Sequence, residues 1–144
     1  MNTDVIQSKI NYFNTRLELL SSCASVQYNS FVADYMIRDS AYFGLQTCLQ
    51  AIIDVGGHIV VCSLGLGLPE TYYEVPEWLA DYGMLSEDKA KTFEAFITLR
   101  NKLVHAVGAD LKEEVYEVIT NDMDKARDLM SDLVSILEKQ GTNK

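Results

Sequence analysis

The chain has 144 residues, 48% of them hydrophobic, and a formal net charge of −9. This length is enough for one domain with a sizeable hydrophobic core and is short for two independently folded domains. Lysine and arginine dominate non-specific binding to phosphate backbones, so the negative charge argues against a protein that coats nucleic acid. The same charge favours a basic protein partner through long-range attraction. It does not exclude a small local basic patch.

Hydrophobic periodicity predicts an all-α chain, because Val, Ile and Thr nowhere alternate with period two for long. The first helix is expected over about residues 3–26, with Thr3 as its N-cap. Its apolar positions recur at spacings of three and four and form one stripe: Ile6, Ile10, Phe13, Leu17 and Leu20.

A turn over residues 27–30, with Ser30 as the next cap, is expected to lead into a long second helix over about residues 31–62. Arg38-Asp39 is a candidate bend in it. Gly56-Gly57 costs about 1 kcal/mol of helix propensity per glycine. Either close approach of another helix or a hinge would explain why the cost is accepted.

The glycine-punctuated stretch Ser63–Pro69 is expected to stop the second helix, and it lacks the ending of a phosphate-binding loop. A short helix is predicted from Pro76 through Tyr82, ended by Gly83. Trp78 and Leu79 are expected to form its buried side.

Ser86 is expected to cap a further helix that leads directly into Arg100. After Gly108, Asp110 is expected to cap a last helix that continues to about Lys139. The layout predicts an antiparallel four-helix bundle with a short extra helix in the middle, forming one domain over residues 1–144.

The cellular setting is expected to be cytoplasmic and reducing. No apolar run suggests a membrane span, and the N-terminus lacks the pattern of a secretory signal. The three cysteines lack metal-ligand spacing, and Cys48 and Cys62 lie in apolar surroundings where they are expected to pack as small hydrophobes. No metal or cofactor is expected.

The stretch Leu99–Val107 contains the strongest candidates for chemistry, which are Arg100, Asn101 and His105. On an ideal helix Arg100 and His105 point about 140° apart, whereas Asn101 and His105 share a face. A site that uses all three therefore requires the helix to end or distort, or a second subunit to complete it.

Two interpretations of this stretch are open. Basic residues and histidine are favoured at a helix C-terminus by the helix dipole and need no function there. Alternatively, histidine can transfer a proton at neutral pH and an arginine can hold a phosphate. With the 2′-hydroxyl of RNA as nucleophile, the second interpretation is phosphodiester cleavage without a metal.

The segment Arg100–His105 resembles the Arg-x4–6-His motif of the HEPN superfamily, in its Arg-Asn-x-x-x-His form. Further positions resemble the HepT-type branch of that superfamily over about residues 35–118. They are Arg38-Asp39, Leu45, Leu49, Ile53-Asp54, Gly57-His58, Leu68-Pro69, Tyr72, Leu79, Gly83, Phe93 to Leu99 and Val115-Tyr116.

The resemblance implies the toxin of a type VII HEPN/MNT toxin–antitoxin pair, a metal-independent endoribonuclease acting on RNA such as tRNA or mRNA. It implies a homodimer with a shared cleft, and neutralisation by a minimal nucleotidyltransferase (MNT) antitoxin. By the same resemblance, Arg100 binds the scissile phosphate, His105 transfers the proton and Asn101 positions them.

One position departs from the family pattern. The motif commonly continues His-x-Tyr, and that tyrosine is the one to which the antitoxin adds AMP, whereas this chain has Val107. The antitoxin would then act by binding or modify another tyrosine, of which Tyr116 is the nearest downstream. The alternative function is a catalytically inactive helical module that binds a nucleotidyltransferase.

The remaining candidates are one histidine, a pair of tyrosines and one lysine. His58 is expected to be partly buried or at a dimer interface. Tyr72-Tyr73 is either core or interface, or a platform for stacking bases. Lys102 is either simply solvated or part of a small basic spot with Arg100 and Arg38.

Overall fold

The computed structural model describes residues 3–105 and 110–142, and it confirms the all-α prediction, since the described residues contain helices and no strand. Four long helices are joined by shorter ones, and the expected short extra helix in the middle is present. The elements are α1 (Thr3–Ala24), α2 (Tyr28–Ala33), α3 (Tyr35–His58), a π-helical turn (Ile59–Ser63), α4 (Glu74–Asp81), α5 (Glu87–His105), α6 (Lys112–Asn121) and α7 (Met123–Thr142).

Helix α3 is the centre of the fold and contacts each of the other helices. Leu45, Leu49 and Ile52 on this helix are completely buried. By length and composition alone, residues 35–63 could cross a membrane, contrary to the expectation of no such span. However, 56% of the most apolar window is buried. This burial is typical of the core helix of a folded domain.

The break before α3 lies at Asp34, so the predicted turn at 27–30, the Ser30 cap and the bend at Arg38-Asp39 are wrong. Residues 28–33 form α2, whose Phe31 is fully buried and holds the short helix on the core. The Asp34 carboxylate accepts hydrogen bonds from the amides of Met36 at 3.0 Å and Ile37 at 3.3 Å. These two bonds satisfy free N–H groups at the start of α3.

Close packing explains one of the two adjacent glycines in α3. A Cβ atom on Gly56 would lie 2.9 Å from Cγ1 of Val75 and 3.0 Å from the Phe93 ring, whereas one on Gly57 would meet nothing within 4 Å. Close approach of α4 and α5 therefore explains Gly56. The backbone then widens into the π-helical turn, where the Leu64 amide donates to the Ile59 carbonyl at 2.9 Å.

The expected last helix is two helices, α6 and α7, with Asp122 between them. The apolar spacing continues from Ile119 through Ala126 without interruption, so the pattern alone does not show the break. The N-cap of α6 is Leu111 and not the expected Asp110, although the Asp110 carboxylate accepts a hydrogen bond from the Lys112 amide at 3.3 Å.

Cys48 is fully buried as predicted, but Cys62 is exposed, which corrects the expectation for that residue. Cys62 lies in the π-helical turn, and a π turn changes the angular register that an α-helical pattern assumes. The burial of Leu79 is also confirmed, whereas Trp78 beside it is only partly buried.

Candidate functional site

Helix α5 continues regularly through Arg100 and Asn101 and ends at His105. It is held by a buried inner face and by Ser86, whose hydroxyl accepts a hydrogen bond from the Lys89 amide at 3.2 Å. The helix therefore does not end or distort between Arg100 and His105. Their side chains leave the axis about 140° apart and about 7.5 Å apart along it.

The Arg100 guanidinium has contacts of two kinds, and neither is ionic. Its Nη1 donates a hydrogen bond to Oδ1 of Asn101 at 3.1 Å. Its Cζ lies 5.3 Å from the centre of the Tyr72 ring, within the range of a cation–π contact. Its Nε is buried without a hydrogen-bond partner. Within the described ranges no carboxylate forms an ion pair with Arg100.

His105 is exposed at the last residue of α5, one turn beyond Asn101. Because the two side chains are four residues apart, they lie on the same face of the helix. Val107 and Gly108 lie outside the described residues. The structure thus places Arg100 and Asn101 in contact and presents His105 on a different side of α5 from Arg100.

Tyr72 and Tyr73 precede α4 and are 40% and 38% exposed, which excludes the core alternative but neither the interface nor the stacking platform. The hydroxyl of Tyr73 hydrogen-bonds to Oγ1 of Thr98 at 2.8 Å, which ties this turn to α5. Sequence spacing does not reveal that Tyr72 lies against Arg100, because the contact joins two separate segments.

The other two basic side chains of the suggested basic spot have partners of their own. Lys102 forms an ion pair with Glu114 at 3.2 Å. The guanidinium of Arg38 donates to the carbonyl of Val32. Hydrogen bonds from Lys112 lower the pKa of the Asp110 carboxyl, and the charge of Arg38 adds a smaller effect in the same direction. Arg100 is therefore the basic side chain of this trio that is left without a described anionic or backbone-carbonyl partner.

Tyr116 has a structural role. Its hydroxyl donates a hydrogen bond to the Val26 carbonyl at 2.6 Å, and its ring packs against Tyr28 and Phe31 with centroids 5.2 and 5.1 Å away. These contacts join α6 to the turn after α1 and to α2. The hydroxyl is therefore already engaged in holding the fold together.

A groove and the second histidine of the chain lie outside the candidate site. A groove of about 400 Å³ lies between α1 and α3, where Lys9 and Asp54 form an ion pair at 2.8 Å. His58 is partly buried near the end of α3, as expected. Within the described residues, no group of three or more His, Cys, Asp or Glu side chains could hold a metal ion.

The sequence profile of a family described as "Ribonuclease HepT-like" matches residues 13–133. The chain belongs to the HepT-like ribonuclease family. The match includes α5 with Arg100, Asn101 and His105. It confirms the resemblance that the motif and its surroundings suggested.

Individual relatives agree with this assignment. The chain is 29% identical over 77 residues to the mRNA nuclease HepT of Shewanella oneidensis, an alignment that covers 54% of this chain and 57% of that protein. The alignment therefore spans little more than half the length of this curated relative.

Solved structures of other proteins share the fold. The chain resembles the tri-AMPylated HEPN toxin of Shewanella oneidensis in complex with an MNT antitoxin, with a TM-score of 0.81, 22% identity and coverage of 94% of this chain and 99% of the other. It also resembles YutE of Bacillus subtilis, a cytosolic protein of unknown function, with a TM-score of 0.79, 19% identity and coverage of 97% and 93%. These likenesses show the HEPN fold.

Proposed function

We propose that this HepT-like chain, as one HEPN-like domain over residues 1–144, is the toxin of a type VII HEPN/MNT toxin–antitoxin system. It cleaves RNA, such as mRNA or tRNA, without a metal or cofactor. The observation that carries the proposal is Arg100, which heads the family motif and has no described carboxylate partner to neutralise it. The exposed His105 follows on the same helix.

The chemistry follows from these side chains. The 2′-hydroxyl of RNA attacks the adjacent phosphorus, the bond from phosphorus to the 5′-oxygen breaks, and the products carry a cyclic 2′,3′-phosphate and a 5′-hydroxyl. Arg100 binds the phosphate and stabilises the charge that builds on its oxygens. His105 takes a proton from the attacking hydroxyl or gives one to the leaving oxygen. Asn101 orients the guanidinium.

The arrangement on α5 favours a site shared by two copies of the chain. Arg100 and His105 leave the same regular helix about 140° apart, so one copy does not readily aim both at one phosphate. In a symmetric homodimer the same patch of both copies meets across the axis. Arg100 of one copy then faces His105 of the other, so the dimer contains two equivalent Arg100–His105 pairs.

The proposed partner is an MNT-type nucleotidyltransferase antitoxin, and the proposed location is the cytoplasm, with no membrane. The solved HEPN toxin in complex with an MNT antitoxin supports this partner. Val107 has no hydroxyl to accept AMP at the family position. Tyr116 is a poor substitute because its hydroxyl is bonded to Val26. The antitoxin therefore acts by binding or by modifying a different tyrosine.

Cleavage of purified RNA tests the proposal. The wild-type chain is incubated with mRNA and tRNA, with and without EDTA, beside His105→Ala and the control Lys102→Ala. We expect cleavage in both buffers by the wild type and the Lys102 variant, and its loss in the His105 variant. Equal products from wild type and His105→Ala would contradict the proposal.

The second candidate function is a catalytically silent module that binds a nucleotidyltransferase, which the charge of −9 and Val107 favour. Expression in cells separates the two functions. A toxin arrests growth and Arg100→Ala relieves the arrest, whereas a silent module leaves growth unchanged in both forms and retains partner binding.

A further inference from the structure

We propose that Tyr72 is a positioning residue for the RNA-cleaving site and that its ring holds the Arg100 guanidinium in the orientation that binds the scissile phosphate. This inference depends on the proposed function, since it assumes that Arg100 contacts the phosphate. Its structural basis is the 5.3 Å separation between the Cζ of Arg100 and the centre of the Tyr72 ring.

The guanidinium is held without losing its charge. An aromatic face attracts a cation but does not neutralise it, whereas a carboxylate would form an ion pair that a phosphate must displace. Other cationic side chains of this acidic chain do pair with carboxylates, as Lys9 does with Asp54 and Lys102 with Glu114. Arg100 is oriented instead by the Tyr72 ring and by the amide oxygen of Asn101.

The buried Nε adds a second reason to place the phosphate at the outer end of the guanidinium. Nε has no hydrogen-bond partner, and Nη1 is directed to Asn101. The second terminal nitrogen, Nη2, has no described hydrogen bond and can donate to a phosphate oxygen. The arginine side chain has many rotatable bonds, so its guanidinium keeps one orientation only if a neighbouring group restricts it. The Tyr72 ring packs against the guanidinium and can provide this restriction.

The turn that carries Tyr72 is held in place by three contacts of its backbone and neighbouring residues. The Tyr72 carbonyl accepts a hydrogen bond from the Val75 amide at 3.0 Å, which closes the turn into α4. Val75 is 1% exposed and packs against the Gly56 backbone of α3. The adjacent Tyr73 is bonded to Thr98 on α5 at 2.8 Å. The turn is therefore fixed relative to the helix that bears Arg100.

Substitutions at Tyr72 that distinguish the effect of an aromatic face from that of side-chain volume test the inference. Tyr72→Phe and Tyr72→Trp keep an aromatic face, and Tyr72→Leu keeps apolar bulk without one. Tyr82→Leu is the control and alters another exposed tyrosine, at the opposite end of α4. With saturating RNA we expect kcat to fall about tenfold in Tyr72→Leu and to change less than about twofold in the Phe, Trp and Tyr82 variants. Unchanged kcat in Tyr72→Leu would overturn the inference.

The division between kcat and KM distinguishes positioning from base stacking. If Tyr72 serves mainly as a stacking platform for RNA bases, Tyr72→Leu raises KM and leaves kcat at the wild-type value, and this outcome also overturns the inference. Rescue by Phe and Trp with an unchanged midpoint of thermal unfolding excludes a general loss of structure.

A second measurement does not depend on cleavage. The chain has four arginines, so the Nε–H signal of Arg100 is assigned in NMR spectra by its loss in Arg100→Lys. We expect the Tyr72 ring to shift this signal by its ring current in the wild type, and the phenylalanine ring to do so in Tyr72→Phe. In Tyr72→Leu we expect the signal to remain but without the ring-current shift. The same signal position in Tyr72→Leu and wild type overturns positioning by the ring. Failure of the proposed function shows itself differently, as RNA that neither the wild type nor Arg100→Ala cleaves.

Discussion

Nη1 of Arg100 donates a hydrogen bond to Oδ1 of Asn101, the next residue along α5, at 3.1 Å. Asn101 in turn lies one helical turn before His105 and on the same face. This amide is therefore the structural link between the side of α5 that carries the guanidinium and the side that carries the imidazole.

The first prediction concerns this link. Asn101→Ala removes the oxygen that orients Arg100, and hydrogen bonds to charged groups contribute about 1.5–3 kcal/mol, so we expect kcat to fall by about 10- to 100-fold. Asn101→Asp places a carboxylate beside Arg100 and is expected to reduce cleavage at least as much, since the new ion pair competes with the phosphate. Single-turnover cleavage assays check both, with circular dichroism as the control for folding. Wild-type rates in both variants would refute the role of Asn101.

The second prediction concerns the shared site. Arg100→Ala and His105→Ala are each expected to be inactive alone, but an equal mixture forms heterodimers in which one site combines Arg100 of one copy with His105 of the other. If mixed dimers form statistically, about a quarter of the wild-type activity returns. RNA cleavage after subunit exchange measures this recovery. A mixture that stays inactive despite confirmed exchange would argue that Arg100 and His105 act within one copy.

The third prediction uses the two adjacent glycines of α3. Gly56→Ala forces a methyl group to 2.9 Å from Val75 and 3.0 Å from Phe93, and overpacking of this kind costs about 1–3 kcal/mol of unfolding free energy. Gly57→Ala meets nothing within 4 Å and is expected to stabilise the chain by up to about 1 kcal/mol through helix propensity. Urea unfolding compares them, and equal stabilities would contradict the close approach at Gly56.

The fourth prediction concerns the thiols. Burial raises the pKa of Cys48 to about 12 and raises that of Cys23 as well, whereas Cys62 is exposed. At pH 8 we expect a disulfide reagent to modify one thiol rapidly in the native chain and three after unfolding. Cys62→Ser is expected to abolish the rapid phase. Rapid modification of a thiol in that variant would contradict the burial of Cys23 and Cys48.

The pKa of Cys48 also sets the direction of a pH effect. The pKa of the thiol is higher in the folded chain than in the unfolded chain, so the folded state favours the neutral thiol. Below the unfolded pKa the thiol is neutral in both states, and the free energy of unfolding does not depend on its ionisation. As pH rises from about 9 towards 12, the unfolded chain ionises first and stability falls by up to about 1.4 kcal/mol per pH unit. Urea midpoints across this range are expected to fall less steeply in Cys48→Ala.

Much of the fold followed from apolar spacing. The apolar residues of α5 recur with helical spacing and form one buried face, which consists of Ala90, Phe93, Phe96, Ile97 and Leu99. The breaks at Asp34 and Asp122 did not follow, since the apolar stripe continues across both. Their positions depend on local capping bonds and on how α2 and α6 pack against α3.

The sequence by itself determined the helical class, the family motif and the residue types at the candidate site, because periodicity and motif spacing are local properties of the chain. Only the tertiary structure decided the surroundings of Arg100. The Tyr72 ring reaches the guanidinium because Gly56 admits Val75 and because Tyr73 bonds to Thr98. Contacts between segments distant in the sequence depend on packing geometry, which no single stretch of residues encodes.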